Sequence, residues 1–209
     1  MIETVILGHG LWVTSVVMRP LARRVERCGF QAGLCNYHSL SQTIQSAADA
    51  VIQCVRQQAG KRVHLVGHSL GGLLILQALQ DEPALSDGRG GVVGCRGKGG
   101  VVASRGYRRE GSRWLVGRGA EGRLAWGGAG WHGSQQLGVI AGKRPVGVGR
   151  ALGGLEGPND GTVTVAETRL QGCTESLLVN TTHTGLVCRG DVTQAVCRFL
   201  QAGRFGAGA

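Results

Sequence analysis

The chain has 209 residues, enough for one domain with a substantial core. Hydrophobic residues make up 42% of it, ordinary for a soluble globular protein, and no apolar run approaches the length of a transmembrane helix. The formal charge of +10 is not spread evenly: residues 86–150 hold 12 Lys/Arg against 3 Asp/Glu and 20 of the 38 glycines, so the basic balance describes that stretch and not the whole protein.

In chain order, Thr4-Val5-Ile6-Leu7 is a short β-rich run ending at Gly8-His9-Gly10, which reads as a buried parallel strand. Pro20 opens a helix with apolar positions 21, 25 and 28, and Gly29 ends it. Residues 30–37 form a weaker second strand. Ser41 is the expected cap of a helix whose apolar positions 44, 47, 48, 51, 52 and 55 repeat at helical spacing. Val63–Val66 is a third strand, followed by a helix from Ser69 to about Gln80. Periodicity then fails from Ser86 to Gly133. A fourth strand is expected there but has no clear position. Val92-Val93, Val101-Val102 and Trp114-Leu115-Val116 are only fragments among glycine and arginine. Order returns with strands at 137–142 and 175–180, and Asp191 is the expected cap of a closing helix bearing Val192, Ala195, Val196, Phe199 and Leu200.

This β-α alternation predicts a single domain over residues 1–209. It would be a three-layer α/β/α sandwich around a mostly parallel sheet, with an atypical Gly/Arg-rich segment at about 86–135. The seven cysteines show neither C-x-x-C nor metal-ligand spacing and read as reduced thiols, mostly buried, of a cytoplasmic protein. Met1-Ile2-Glu3-Thr4 has no basic region and no apolar core, so no signal peptide is expected.

Residues 63–76 carry the chemistry. A β-rich run ends in Gly67, the G-x-S-x-G turn is centred on Ser69, and a helix follows. That is the layout of a nucleophile elbow. Its serine takes strained angles, and its neighbours lack side chains so that strand and helix can close. A serine hydroxyl needs a base, and the base needs an acid to orient it. Of six histidines, His183 alone lies beyond the last strand. Asp160 stands in the turn-rich loop 153–161 after the strand at 137–142. Ser69, Asp160 and His183 thus follow in the order nucleophile, acid, base, each at a strand exit, where ligand sites of such sheets lie. Glu156 on the same loop is the serious rival acid; Glu167 and Asp191 are others. Backbone N–H groups of Leu11 and Leu70 are the expected oxyanion donors, with Gly10 allowing close approach and His9 bracing the loop. Trp12 could line an acyl pocket or belong to the core. His64 and His68 are four apart but on a strand and a turn, so a metal pair is not expected.

The pieces Leu7-Gly8-His9-Gly10-Leu11-Trp12, Val66-Gly67-His68-Ser69-Leu70-Gly71-Gly72, Gly157-Pro158-Asn159-Asp160-Gly161-Thr162-Val163 and Asn180-Thr181-Thr182-His183-Thr184-Gly185-Leu186 resemble the α/β-hydrolase superfamily, in particular small bacterial lipase/esterase-like members. The resemblance implies nucleophile Ser69, base His183 and acid Asp160, an acyl-enzyme intermediate, an acyl ester or lipid as substrate, and no cofactor. Where such proteins carry a further strand and cap elements, this chain has the Gly/Arg-rich segment. Read as degenerate, that segment would cost the sheet a central strand and leave a small cap or none. Two other readings stand beside the ester hydrolase: an acyltransferase or thioesterase on the same fold, and a non-catalytic module binding anionic lipid or nucleic acid through the basic middle. Sparse aromatic residues there count against nucleic acid.

Overall fold

The computed structural model describes residues 2–11, 14–39, 41–58, 60–97, 130–147 and 155–206. Six strands form one sheet: β1 (Thr4–Gly8), β2 (Gln31–Leu34), β3 (Val63–His68), β4 (Gly90–Val93), β5 (Leu137–Gly142) and β6 (Glu175–Val179). Every neighbouring pair is parallel, in the order β2-β1-β3-β4-β5-β6. The chain steps outward from β1 to β2, then returns to build β3 on the other side of β1. That reversal opens a crevice beyond the carboxyl ends of β1 and β3.

Helices cover both faces: α1 (Arg19–Arg27), α2 (Ile44–Arg56), α3 (Leu70–Asp81), the short α4 (Val165–Thr168) and α5 (Gly185–Cys188), and α6 (Gly190–Ala202). Successive strand residues point to opposite faces, so the sheet feeds two cores. Ile6, Leu65, Val92 and Val139 pack with α2 and α3. Leu7, Val66, Val93 and Ile140 pack with α1 and α6. Burying each such side chain contributes about 1.5–3 kcal/mol, and strands buried on both faces need not alternate with polar residues.

The strand left unplaced by the sequence is β4, Gly90–Val93, inside the segment expected to be degenerate; the sheet therefore keeps its central strand. Glycine is a poor strand former, but here the neighbours fill the space a side chain would take. A β-carbon at Gly90 would lie 2.6 Å from Leu137 Cδ1, and one at Gly91 would touch Val66. The described residues near the segment's expected end are packed as well: Trp131 is buried, and Gln135 Nε2 donates to the carbonyls of Pro83 and Ser86. The fragments at 101–102 and 114–116, and any cap, lie outside the described residues.

Two expected caps are corrected. Thr43, not Ser41, caps α2, because its hydroxyl accepts the N–H of Ser46 at 3.1 Å. Asp191 lies within the first turn of α6 after an Arg189 N-cap, where it pairs with the Arg189 guanidinium. That pairing holds its carboxyl below the usual carboxylate range.

The reading of all seven cysteines as reduced is also corrected. Cys28, after α1, and Cys197, in α6, form a disulfide across 169 residues, with Cα atoms 6.3 Å apart. It ties together two helices on the same face of the sheet. Closing so long a loop restricts the unfolded chain strongly, by about 2–4 kcal/mol in the usual case. Reduction, or a Cys197→Ser substitution, is therefore expected to lower the unfolding free energy by about that amount in urea titration. Identical midpoints with and without dithiothreitol would show that the bond contributes nothing.

Candidate active site

Ser69 sits between the last residue of β3 and the first of α3, with φ 55° and ψ −119°. It is the one non-glycine residue with positive φ among the described residues. Holding a serine there costs roughly 1–3 kcal/mol. Leu74, Ile75, Leu76 and Leu79 of α3 are fully buried, and their burial outweighs that cost several times over. The crossing is tight. A β-carbon on Gly67 would overlap the Gly71–Gly72 backbone, and one on Gly71 would overlap the Gly8 carbonyl. The Ser69 N–H donates to the Val93 carbonyl at 2.9 Å, fixing the turn to β4. Leu70 is the first residue of α3, so its N–H has no partner within the helix.

The loop after β1 lies beside this turn. A β-carbon on Gly10 would come 3.3 Å from Ser69 Cβ, so Gly10 brings the backbone leading to Leu11 against the serine. His9 is buried in this loop, its Nδ1 lies 2.9 Å from the Gly10 carbonyl, and it stacks on Tyr37 at 4.1 Å. The Tyr37 hydroxyl in turn donates to the His9 carbonyl. Tyr37 belongs to this support, and nothing in its sequence surroundings indicates it. Trp12 lies outside the described residues.

Asp160 and His183 meet. The His183 ring places Nδ1 2.7 Å from Asp160 Oδ2, and the His183 N–H donates to the Asp160 carbonyl at 2.9 Å. Asp160 is fully buried, and its Oδ1 accepts the N–H groups of Thr162 and Val163 at 2.9 and 2.8 Å. The Asn159-Asp160-Gly161 turn makes this possible. Asn159 Oδ1 takes the Gly161 N–H, and Gly161, at φ +92°, turns the chain so that two amides point back at the carboxylate. A carboxylate only accepts, so His183 Nδ1 is the donor, and the bond leaves Nε2 unengaged. The rival acids are engaged elsewhere or exposed. Glu167 closes a capping box with Thr164 and pairs with Arg96; Asp191 pairs with Arg189; Glu156 is exposed.

His183 reaches the serine's neighbourhood over β4. A β-carbon on Gly94, which has φ +59°, would lie 3.2 Å from His183 Cε1 and Nδ1. Gly94 directly follows Val93, the residue bonded to Ser69. Among the described residues no hydrogen bond joins Ser69 Oγ to His183; the ring's hydrogen bond is the one to Asp160. The other paired histidines are committed separately. His64 Nε2 lies 2.9 Å from Glu3 Oε2 and its Nδ1 accepts the Arg89 N–H, while His68 Nε2 lies 3.0 Å from the His183 carbonyl oxygen.

Burial disfavours the charged form of His9, His64 and His68, and it lowers His68 from the ordinary 6.5 to about 3. Unfolding frees these rings to bind protons near their ordinary value. Below about pH 6.5 the unfolded state therefore holds more protons, and stability falls as pH drops. A fully buried ring costs roughly 1 kcal/mol per pH unit in this range. Urea titrations at descending pH should show a shallower acid loss for His68→Gln than for the parent. Equal slopes would mean that His68 is not buried in its neutral form.

No protein-family model matches this sequence, and no curated protein matches it. Solved structures do match. The Bacillus licheniformis lipase BlEst2 in mature form is similar with a TM-score of 0.75 at 20% identity, covering 97% of this chain and 92% of that one. The metagenomic carboxyl esterase MGS0156 is similar with a TM-score of 0.69 at 18% identity, over 87% of this chain and 64% of that one. A pyrethroid hydrolase, PytH, is similar with a TM-score of 0.68 at 12% identity, over 97% of this chain and 99% of that one. With the parallel six-stranded sheet and its two helical layers, these likenesses establish that the chain has the α/β-hydrolase fold.

Proposed function

We propose that the protein hydrolyses carboxylic esters, with Ser69 as nucleophile, His183 as base and Asp160 as the acid that orients it. The observation that carries the reading is the Asp160–His183 pair at 2.7 Å, set at the strand exits beside a serine held at positive φ. Ser69 Oγ attacks the ester carbonyl while His183 Nε2 takes its proton. Asp160 keeps the imidazole in the required tautomer and balances the charge it gains. The N–H groups of Leu11 and Leu70 receive the oxyanion, each lowering the barrier by about 3–4 kcal/mol. Collapse expels the alcohol, which takes the proton from His183, and leaves an acyl ester on Ser69. Water, deprotonated by His183, then releases the acid and restores the serine.

The esterase and lipase titles of similar structures support an acyl ester as the substrate class. Among the described residues no helix is long and apolar enough to cross a membrane. A cytoplasmic site of action rested on reduced thiols, and the Cys28–Cys197 bond removes that ground.

Turnover of p-nitrophenyl butyrate is expected to fall by at least about 10³-fold in Ser69→Ala and His183→Ala, as for other members of such triads. Hydrolysis surviving unchanged in Ser69→Ala would refute the assignment. Gly94→Ala is a subtler probe, because its methyl group would press on His183 and Leu186 at a backbone angle that suits glycine. It should lower kcat by about 10–100-fold through displacement of the base, with the binding of substrate analogues little changed. Wild-type kcat in a folded Gly94→Ala protein would show that His183 is not seated against this glycine during turnover.

A further inference from the structure

We infer that His68 is a positioning residue: a neutral imidazole whose Nε2–H holds the backbone of His183 against the nucleophile turn. The inference rests on the hydrolase reading above. His68 is the last residue of β3 and the immediate neighbour of Ser69. Its Nε2 lies 3.0 Å from the His183 carbonyl oxygen. A carbonyl only accepts, so Nε2 carries the hydrogen and Nδ1 holds a lone pair. The two rings lie 4.6 Å apart.

The surroundings of His68 argue against a packing role alone. The residue is only 6% exposed. Its Nδ1 is sealed from solvent and has no hydrogen-bond partner among the described residues. Leaving a buried acceptor unpaired is unfavourable, and an apolar ring would fill the same space without that cost. The single bond from Nε2 is what the imidazole adds.

That bond completes the restraint of the base. The His183 ring is held by Asp160 through Nδ1, its N–H donates to the Asp160 carbonyl, and its own carbonyl is held by His68. Asp160 anchors it from the loop beyond β5, and His68 anchors it from the end of β3. Between these ends Gly94 gives the ring its floor. The ring nitrogen of His183 that this restraint leaves free is Nε2. During acylation His183 becomes positive, and a second imidazolium 4.6 Å away would oppose that step. The titratable groups facing His68 are His183 and Asp160. Burial outweighs the carboxylate's pull and keeps His68 uncharged, lowered to about 3.

The test uses His68→Phe, which keeps a ring but removes the donor, and His68→Gln, whose amide can offer an N–H at a similar reach. With p-nitrophenyl butyrate, His68→Phe should lose about 10–100-fold in kcat with KM within about twofold, as a displaced catalytic group does. His68→Gln should recover most of that loss. A folded His68→Phe with parental kcat, KM and pH profile overturns the inference, as does a His68→Gln no better than His68→Phe. Where His68→Phe does not fold, ¹⁵N-histidine spectra of the parent protein decide. A neutral Nε2–H tautomer across about pH 5–8 is expected, and an Nδ1–H tautomer or titration within that range overturns the inference. If the parent protein shows no Ser69-dependent turnover, the hydrolase reading fails by itself, and the tautomer measurement still decides the hydrogen bond.

Discussion

No side chain fits where β1, β3 and α3 cross, and the rest of the molecule depends on that approach. Gly8, Gly67 and Gly71 bring three backbones into direct contact, so that α3 starts hard against the end of the strand it leaves. A longer turn would carry Ser69 away from the sheet and relax its φ of 55°. The tight one keeps the serine raised at the strand exits, with the amide of Leu70 at the free end of a helix. The apolar burial of α3 and the parallel pairing of β3 with β1 and β4 supply the energy that holds this geometry.

Around that crossing, each functional loop is restrained by a different kind of contact. The loop after β1 is held by aromatic stacking of His9 on Tyr37 and by the Tyr37 hydroxyl. The loop after β5 is held by the turn chemistry of Asn159, Asp160 and Gly161. The loop after β6 has one internal bond of this kind, from the Gly185 N–H to the Thr182 hydroxyl at 3.1 Å, and its histidine is held from outside, by Asp160 on one flank and His68 on the other. The position of His183 thus depends on contacts from two other elements.

Much of this could be read from the sequence because the signals were local. A β-rich run into G-x-S-x-G, a turn-dense Asn-Asp-Gly, and a histidine just past the last apolar run each report their own backbone. The parallel sheet between helical layers followed from the alternation of strands with helices. What was not legible depends on distant partners. β4 is Gly-Gly-Val-Val, and its strand character comes from Leu137 and Val66 filling the space above its glycines. Cys28 and Cys197 are separated by 169 residues, and neither lies in a spacing that marks a pair. Ser41 and Thr43 are both competent caps, and only the register of α2 selects Thr43. Tyr37 was visible only as part of a weak strand, since its hydrogen bond crosses to a loop 28 residues away.

The same distinction separates the two histidines beside the serine. His183 is recognisable by its place in the chain, at a strand exit downstream of Asp160, where the resemblance to the α/β-hydrolase superfamily puts the base. His68 is hidden by its position within the motif, where glycine and serine already account for the turn. Only the folded chain shows that its Nε2 faces a carbonyl 115 residues away while its Nδ1 has no hydrogen-bond partner among the described residues. A buried group with one satisfied nitrogen and one unsatisfied nitrogen is a poor way to fill space and a good way to hold a single atom. The atom it holds belongs to His183, so under the proposed mechanism one motif supplies the nucleophile and also fixes the group that activates it.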